Sequence, residues 1–232
     1  MRIFITGDTH RFFERVWDFT DKAETSKDDV LVILGDAGIN YFGEPKDRIL
    51  KSYLTDLPLT LFCIHGNHEM RPVSIIGYEE TQQFGGIAYT EELFPNIIFA
   101  KDGEIYDLGG KSCIAIGGAY SIDKEYRLEN NAGWWSDEQP DDKIKTHVES
   151  RLNSRDWKID VVFSHTCPQN YIPHEAFLKG IDIDQSKVDR STEIWLDEIE
   201  NKLSYERWYC GHWHINKLIN NMRFVFEDVI ML

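Results

Sequence analysis

Short apolar segments of this sequence repeatedly end in residues that can bind metal ions or transfer protons. The endings are GDTH at 7–10, GD at 35–36, GNHE at 66–69, SHT at 164–166 and GHWH at 211–214. Of the eight histidines in the chain, five lie within these endings. A single histidine or a single glycine–aspartate pair carries little information, because both are common in cores, surfaces and turns. Five such endings in one chain predict a shared site.

Two aspartates, one asparagine and five histidines at these ends offer more donor atoms than one metal ion needs. Carboxylate oxygens combined with imidazole nitrogens suit manganese, iron, zinc or nickel better than calcium. Asp8 and His10 are two residues apart and can point the same way in extended backbone, as can His212 and His214. Two ions about 3.5–4 Å apart that share a carboxylate would use this number of donors. The residue types therefore predict a site for two divalent transition-metal ions.

The elements that must position these residues are predicted from the apolar pattern. Apolar segments of this length, rich in β-branched and aromatic residues, indicate buried strands that are covered on both faces. Ligands of open α/β sheets bind beyond the carboxyl ends of the strands, so the endings are expected to meet there. Strand–helix alternation predicts two packed sheets with helices outside. An antiparallel meander is predicted over 96–118 and 222–232, and helices are predicted over 11–24, 45–57 and 191–203.

The length and composition predict a single domain over residues 1–232, because no internal repeat or linker interrupts the chain. The formal net charge of −15 argues against stable binding to nucleic acid, which requires cationic side chains opposite the phosphates. No apolar stretch approaches the roughly 20 residues that cross a bilayer, so no membrane partner is expected. Four scattered cysteines without a CxxC pair predict a cytoplasmic location. The sequence favours no particular oligomeric state.

The order of the five endings resembles the calcineurin-like metallophosphoesterase superfamily, whose pattern is D-x-H, GD, GNH(E/D), H and GHxH. The resemblance extends from Asp8 to His214. It implies an α/β fold, namely a four-layer α-β-β-α sandwich of two mixed β-sheets flanked by helices. It also implies a hydrolase of phosphoric ester bonds that acts on a soluble mono- or diester, including a nucleotide, through hydroxide held by two metal ions. Manganese is the first expectation for these ions, with iron, zinc or nickel as alternatives.

The resemblance further implies a role for each residue that matches the motifs. His68 would face the scissile phosphate, where it stabilises charge or protonates the leaving oxygen. Asp36 would bridge the two ions. The remaining ligands would be divided between the first ion, with Asp8, His10 and His214, and the second ion, with Asn67, His165 and His212.

The sequence departs from the motifs of serine/threonine protein phosphatases, which share this resemblance. Ile39 and Asn40 lie where those enzymes have the aspartate and arginine of GDxxDRG, and His65 lies where they have arginine. Neither Ile39 nor Asn40 can pair with a histidine or a phosphate as those residues do. A protein phosphatase is therefore a disfavoured alternative, and the sequence does not indicate what orients His68. A non-catalytic scaffold on the same fold is a second alternative, disfavoured because the motifs are complete.

The segment GGAYSIDKEYRLENNAGWWSDE, residues 117–138, is predicted to form a long loop that contributes to substrate binding. Arg127 is the candidate for binding an anionic group. Trp134 and Trp135 are candidates for stacking on a base or lining a pocket. The alternative for the two tryptophans is that they cap the core beneath the loop.

Overall fold

The computed structural model describes residues 1–177 and 185–232 and confirms the predicted α/β sandwich of two mixed sheets. In this part of the chain the first sheet has seven strands: β1 (Ile3–Thr6), β2 (Val30–Ile33), β3 (Thr60–Cys63), β4 (Tyr78–Gln83), β5 (Gly86–Glu91), β6 (Ile97–Ala100) and β13 (Ile230–Met231). The second has six: β7 (Ile105–Leu108), β8 (Lys111–Ile116), β9 (Val161–Ser164), β10 (Arg207–Cys210), β11 (Lys217–Ile219) and β12 (Met222–Phe224).

Parallel strands form the centre of both sheets. The first sheet has the order β13-β1-β2-β3-β6-β5-β4, and β1, β2, β3 and β6 pair in parallel. The second has the order β11-β12-β10-β9-β8-β7, and β8, β9, β10 and β12 pair in parallel. The carboxyl ends of neighbouring parallel strands lie at the same edge of a sheet. The five predicted endings therefore follow neighbouring strands: β1, β2 and β3 in one sheet, and β9 and β10 in the other.

The described part of the chain contains five α-helices: α1 (Glu14–Ala23), α2 (Lys46–Thr55), α3 (Lys124–Asn130), α4 (Asp142–Asn153) and α5 (Ser191–Glu200). Of these, α1, α2, α4 and α5 pack on the outer faces of the two sheets. Helices α1 and α2 contribute Val16 and Leu54 to a core on the outer face of the first sheet. Helices α4 and α5 contribute Val148 and Trp195 to the matching core on the second sheet. None of the described helices combines the length and the apolar character that a bilayer crossing requires.

Alternation along the strands explains how one apolar segment serves two cores. In β1, Ile3 and Ile5 belong to the core between the sheets, together with Phe163 of the second sheet. Phe4, the residue between them, belongs to the core beneath α1 and α2. All four residues of β1 are buried, as expected for a strand that is covered on both faces.

Two details of the predicted elements were wrong. The meander is limited to β7 and β8, which pair antiparallel, because β6 pairs in parallel with β3 in the other sheet and β12 pairs in parallel with β10. The loop predicted over 117–138 contains α3. The three predicted helices are confirmed, each beginning or ending a few residues inside its predicted range.

Candidate metal centre

The predicted candidate residues directly follow the strands that the sequence assigned to them. Asp8 and His10 follow β1, Asp36 follows β2, and Asn67 with His68 follows β3. His165 follows β9, and His212 and His214 follow β10. Both sheets thus contribute side chains to one centre.

Glycines allow the backbones of these loops to approach the donor side chains closely. Gly35 has a φ of +91°, and a Cβ there would lie 2.1 Å from His165 Nδ1. A Cβ on Gly66 would lie 2.0 Å from Asp36 Oδ1. A Cβ atom at either position would clash with a donor side chain, so both glycines are needed for these side chains to approach one another.

Four of the candidate ligands adopt left-handed backbone, which is rare outside glycine. The φ angles are 45° at His10, 49° at Asp36, 63° at His212 and 49° at His214. Such residues cost on the order of 1–3 kcal/mol each and tend to gather at functional sites. Their concentration here marks these loops as shaped for ligand binding rather than for local stability.

The first donor cluster consists of Asp8, His10 and His214, whose donor atoms all lie within 4.8 Å of one another. The Nε2 atoms of His10 and His214 are 3.0 Å apart, and His214 Nε2 lies 3.9 Å from Asp8 Oδ1. Asp8 is buried, whereas His214 is exposed. One carboxylate and two imidazoles facing each other form a donor set that suits a transition-metal ion.

The second donor cluster is fully buried and consists of Asp8, Asp36 and His165. His165 Nδ1 lies 2.7 Å from the carbonyl oxygen of Leu34, so this nitrogen donates its hydrogen there. His165 Nε2 then faces Asn67 Oδ1 at 2.8 Å and Asp36 Oδ2 at 3.5 Å. In the neutral ring all three facing atoms are acceptors, and a proton or a metal cation must lie between them. The residues therefore fit a metal ion at this position.

The charges of the centre are strongly coupled. Burial raises the pKa of Asp8 to about 7, and the neighbouring charge of Asp36 adds to this increase. Burial also opposes ionisation of Asp36, but the adjacent His165 outweighs it and holds the Asp36 pKa well below its ordinary value. Burial alone would lower the pKa of His165, yet the negative charges of Asp36 and Asp8 raise it to about 9. Burial lowers the pKa of His10 to about 4. Without a metal, a proton on His165 thus balances the buried carboxylates.

His212 lies beside the second cluster, with its ring centre 5.0 Å from that of His165. Its backbone N–H lies 3.0 and 3.1 Å from the two carboxylate oxygens of Asp8. Burial holds the pKa of the His212 ring well below its ordinary value, so the ring is neutral and its nitrogens can act as ligands.

His68 stands over the centre and is oriented by Arg127. The backbone N–H of His68 donates to Asp36 Oδ1 at 2.8 Å, and its Nε2 lies 4.0 Å from Asp36 Oδ2. Arg127 Nη2 contacts His68 Nδ1. Because a guanidinium can only donate, Nδ1 is the acceptor and the ring hydrogen lies on Nε2. Burial lowers the pKa of His68; the charge of Asp36 opposes this decrease, and the charge of Arg127 adds to it.

Arg127 is itself fixed by three partners outside the centre. Its Nε donates to Asp123 Oδ2 at 2.7 Å, and its Nη1 donates to the carbonyl of Gly133 at 3.0 Å and to the Tyr41 hydroxyl at 3.2 Å. The predicted anion-binding residue is therefore brought into the site, where it contacts His68.

The structure does not bring Trp134 or Trp135 to the centre. Trp134 Nε1 donates to Glu138 Oε2 at 2.8 Å, and the Lys124 ammonium lies 4.4 Å from the centre of the Trp134 ring. Trp135 packs edge-on against Tyr41, with ring centres 5.4 Å apart. A direct contact of either tryptophan with substrate stays a prediction.

Two residues beyond the predicted set support the site. Glu69 is fully buried and accepts hydrogen bonds from the backbone N–H groups of Gly66 at 3.3 Å and Gly38 at 3.2 Å. It thereby joins the loop after β2 to the loop after β3. Ser121 Oγ accepts from Asn67 Nδ2 at 2.8 Å, which directs the Asn67 oxygen toward His165. The GNHE motif contained the signal for Glu69, but no pattern in the sequence indicated Ser121.

The residues that depart from protein phosphatases are buried in the fold. Ile39 belongs to the core beneath α1 and α2. Asn40 Oδ1 accepts from the Tyr78 hydroxyl at 3.1 Å. His65 is also buried, so none of these three side chains offers phosphate a cationic partner on an accessible surface.

Within the described residues, two cavities lined by residues of this centre are found. One has a volume of about 590 Å³ and the other of about 620 Å³. His68 lines both, the first together with Asp36 and His212 and the second together with Asp8 and Arg127. Both cavities are large enough to admit a small molecule to the centre.

A family model described as calcineurin-like phosphoesterase matches residues 1–216 of the 232-residue chain. No curated protein matches the chain.

Proposed function

The chain belongs to the calcineurin-like phosphoesterase family, and from this we propose that it hydrolyses a soluble phosphate mono- or diester with two metal ions. The family is metal-dependent and acts on phosphate esters, and the chain carries candidate metal ligands. One observation carries the proposal most directly. In the neutral form of His165, this ring and the side chains of Asp36 and Asn67 present three acceptors to one another in a buried position. A metal cation can take the place of the proton that His165 otherwise holds there, as a phosphoesterase with bound metal requires.

In this proposal the ions are divalent transition metals, with manganese first and iron, zinc or nickel as alternatives. Asp36 is shared between them, and His68 is the catalytic residue. The other assigned ligands are Asp8, His10 and His214 for one ion and Asn67, His165 and His212 for the other. The clustering of Asp8, His10 and His214 supports the first assignment. The buried contacts of His165 with Asp36 and Asn67 support the second.

Divalent ions bound by these residues would lower the pKa of a bound water molecule and neutralise the charge on phosphate oxygens. The chain's own residues do the rest. The backbone N–H of His212 holds the Asp8 carboxylate, and that of His68 holds Asp36. Arg127 directs the Nε2–H of His68 away from itself, so this hydrogen is available to an oxygen of the substrate. His68 can therefore stabilise charge on the phosphoryl group or assist the leaving oxygen.

The proposal includes a single domain over residues 1–232 and a cytoplasmic location. Pairing of β13 with β1 supports the first, because it joins the two ends of the chain in one sheet. The four cysteines support the second, since all are buried and free.

An activity panel on the manganese-loaded protein tests this function. It compares p-nitrophenyl phosphate, its bis ester, cyclic nucleotides and a phosphopeptide. Asp36→Asn should lower kcat by about 10³-fold or more, because the shared carboxylate is lost. Asp18→Asn, which changes an exposed carboxylate on α1, should retain wild-type kcat.

The panel also distinguishes the alternatives. An Asp36→Asn variant that keeps most of its rate contradicts the ligand assignment. A strong preference for the phosphopeptide would favour the protein-phosphatase alternative. Absence of both hydrolysis and metal binding in the wild-type protein would favour the scaffold.

A further inference from the structure

The two donor clusters of the centre differ in how closely their surroundings hold the ligands. The second cluster is fully buried, whereas in the first cluster Asp8 is buried, His10 is half-buried and His214 is exposed. His214 lies on the loop between β10 and β11, and 48% of its side chain is exposed. The affinity of a metal site depends on the groups that orient its ligands. An exposed ligand on a loop therefore needs a neighbour that holds its ring.

The ring of Phe226 stacks face to face on the imidazole of His214. Their ring centres are 4.4 Å apart, and the ring planes are inclined by only 11°. His10 meets the same imidazole edge-on, with ring centres 5.0 Å apart and planes inclined by 77°. The lone pair of a histidine nitrogen lies in the plane of its ring. A stack that fixes this plane therefore also fixes the direction in which His214 Nε2 offers its lone pair.

The backbone of Phe226 is bonded to the loops after β1 and after β10, which carry the ligands of the first cluster. Its carbonyl oxygen accepts hydrogen bonds from the backbone N–H of Gly7 at 3.0 Å and from Arg15 Nη1 at 2.6 Å. Its N–H donates to Asn216 Oδ1 at 2.8 Å. A Cβ on Gly7 would lie 2.1 Å from the carbonyl oxygen of Val225, so the loop after β1 packs directly on this segment. The position of the Phe226 ring is thus set relative to both loops.

We propose that Phe226 is a positioning residue for the first metal ion, and that its stacked ring aligns His214 with the other two donors of the first cluster. This inference rests on the proposed function and adds a residue outside the five strand endings. A histidine ligand is usually oriented by an oxygen that accepts its second ring N–H, as the carbonyl of Leu34 does for His165. For His214 the face of an aromatic ring has this role.

Calorimetric titration of chelator-treated protein with manganese tests the inference without relying on turnover. The wild-type protein should bind two ions. Phe226→Leu keeps apolar bulk but removes the flat ring, so the affinity for one ion should fall about tenfold and the other should be unchanged. Phe226→Tyr keeps the ring and should bind both ions as the wild-type protein does. An unchanged Phe226→Leu, or an equal loss in Phe226→Tyr, overturns the inference.

Phe12 provides a matched control for the substitution. It lines the same cavity of about 620 Å³ as Phe226 and is 71% exposed. In the part of the chain that the structure describes, its ring stacks on none of the candidate ligands. Phe12→Leu should therefore bind both ions with wild-type affinity. An equal loss in Phe12→Leu and Phe226→Leu would contradict a specific role of the stack.

A double variant identifies which ion is affected. His214→Ala should lose the first ion and keep the second. Adding Phe226→Leu to His214→Ala should leave the affinity for the remaining ion unchanged, because Phe226 acts through His214. A further loss in the double variant would contradict the assignment to the first ion.

Proton NMR of the metal-free wild-type protein tests the stack itself and requires neither a variant nor an ion. The ring protons of His214 should resonate upfield of those of His147, because His214 lies over the face of an aromatic ring. Within the described residues, His147 has no aromatic neighbour and contacts Glu104 instead. Resonances of the two histidines at the same field would overturn the inference.

The outcomes separate this inference from the proposed function. If the wild-type protein binds two ions and Phe226→Leu binds both unchanged, only the inference fails. If Phe226→Leu weakens one ion but no ester of the panel is hydrolysed, the inference holds and the proposed function fails. If the wild-type protein binds no manganese and hydrolyses no ester, both fail.

Discussion

The partner of His68 is the most informative single contact in the molecule. A carboxylate beside an imidazole accepts its N–H and favours the charged ring. Here a guanidinium, that of Arg127, donates to Nδ1 instead and favours the neutral ring with its hydrogen on Nε2. The contact at Nδ1 therefore fixes the orientation of the His68 ring and leaves its Nε2–H free to donate a hydrogen bond.

Removal of this contact should impair catalysis without emptying the metal centre. We expect Arg127→Ala to lower kcat about 10–100-fold, because His68 loses the group that orients its Nε2–H. Metal content should be unchanged, because the guanidinium of Arg127 is a cation that can only donate hydrogen bonds and offers no lone pair to a metal ion. Combined with His68→Ala, the arginine substitution should add little, as expected for two residues that act as a unit.

Steady-state kinetics and metal analysis of the two single variants and the double variant provide the measurement. Added guanidinium should restore part of the rate of Arg127→Ala but none of the rate of His68→Ala. Fully additive losses in the double variant would show that Arg127 acts independently of His68.

At the residue scale, the sequence predicted which side chains follow the strands at the centre, but not the contact of Arg127 with His68. The candidate ligands lie within a few residues of a strand, so a local pattern identifies them. Arg127 and His68 are 59 positions apart, and their contact depends on how α3 packs across the centre. No local pattern contains that information.

Among the elements, hydrogen bonds also connect the amino ends of neighbouring strands, where they contribute to stability rather than to the candidate site. Asp29 precedes β2, and its carboxylate accepts from the backbone N–H and the guanidinium of Arg2 at 2.8 and 2.7 Å. Its backbone carbonyl accepts from Thr60 at the start of β3 at 2.8 Å. One residue thus connects the beginnings of three neighbouring strands.

We expect Asp29→Asn to lower the free energy of unfolding by about 1–3 kcal/mol, because a charged acceptor shared by several donors is lost. Hydrogen bonds from Arg2 lower the pKa of Asp29 in the folded protein. The stabilisation is therefore present above the pKa of the unfolded chain and is lost as pH falls through the folded pKa.

Denaturant unfolding between pH 7 and pH 3 provides the measurement, because the difference from wild type should shrink toward the acid end. Asp28→Asn, at the exposed neighbouring position, is the control and should match wild type throughout. A pH-independent difference at Asp29 would contradict the role of its charge.

Elements with a strong apolar period were predicted, and elements without one were not. Strand β4 has the polar sequence YEETQQ and lies at the sheet edge, so its antiparallel pairing with β5 has no local signal. Helix α3 has no buried residue and therefore lacks an apolar stripe. The assignment of β6 and β7 to different sheets depends on packing between distant segments, which the meander prediction could not anticipate.

For the whole molecule, metal binding and folding stability should be linked. The centre contains two buried carboxylates, and the burial that raises the pKa of Asp8 destabilises its charged form in the absence of a cation. A ligand present at about 100 times its Kd stabilises the folded state by about 2.7 kcal/mol. Manganese added to chelator-treated protein should therefore raise Tm by about 5–10 °C.

Differential scanning calorimetry of the chelated protein with and without manganese measures this shift. In Asp36→Asn the increase should be largely lost, because the shared carboxylate is absent. An equal increase in the variant, or none in the wild-type protein, would contradict the two-ion centre.

The division of the centre between two sheets has a mechanical consequence. The first sheet carries both carboxylates, and the second carries His165, His212 and His214. The geometry of the centre therefore depends on the distance between the two sheets. That distance is set by the side chains packed between the sheets, among them Phe163 and Ala115. Their bulk sets the distance between the carboxylates of the first sheet and the histidines of the second. Substitutions in this core should therefore change the distances between the candidate ligands, and with them the ionic radius that the centre prefers.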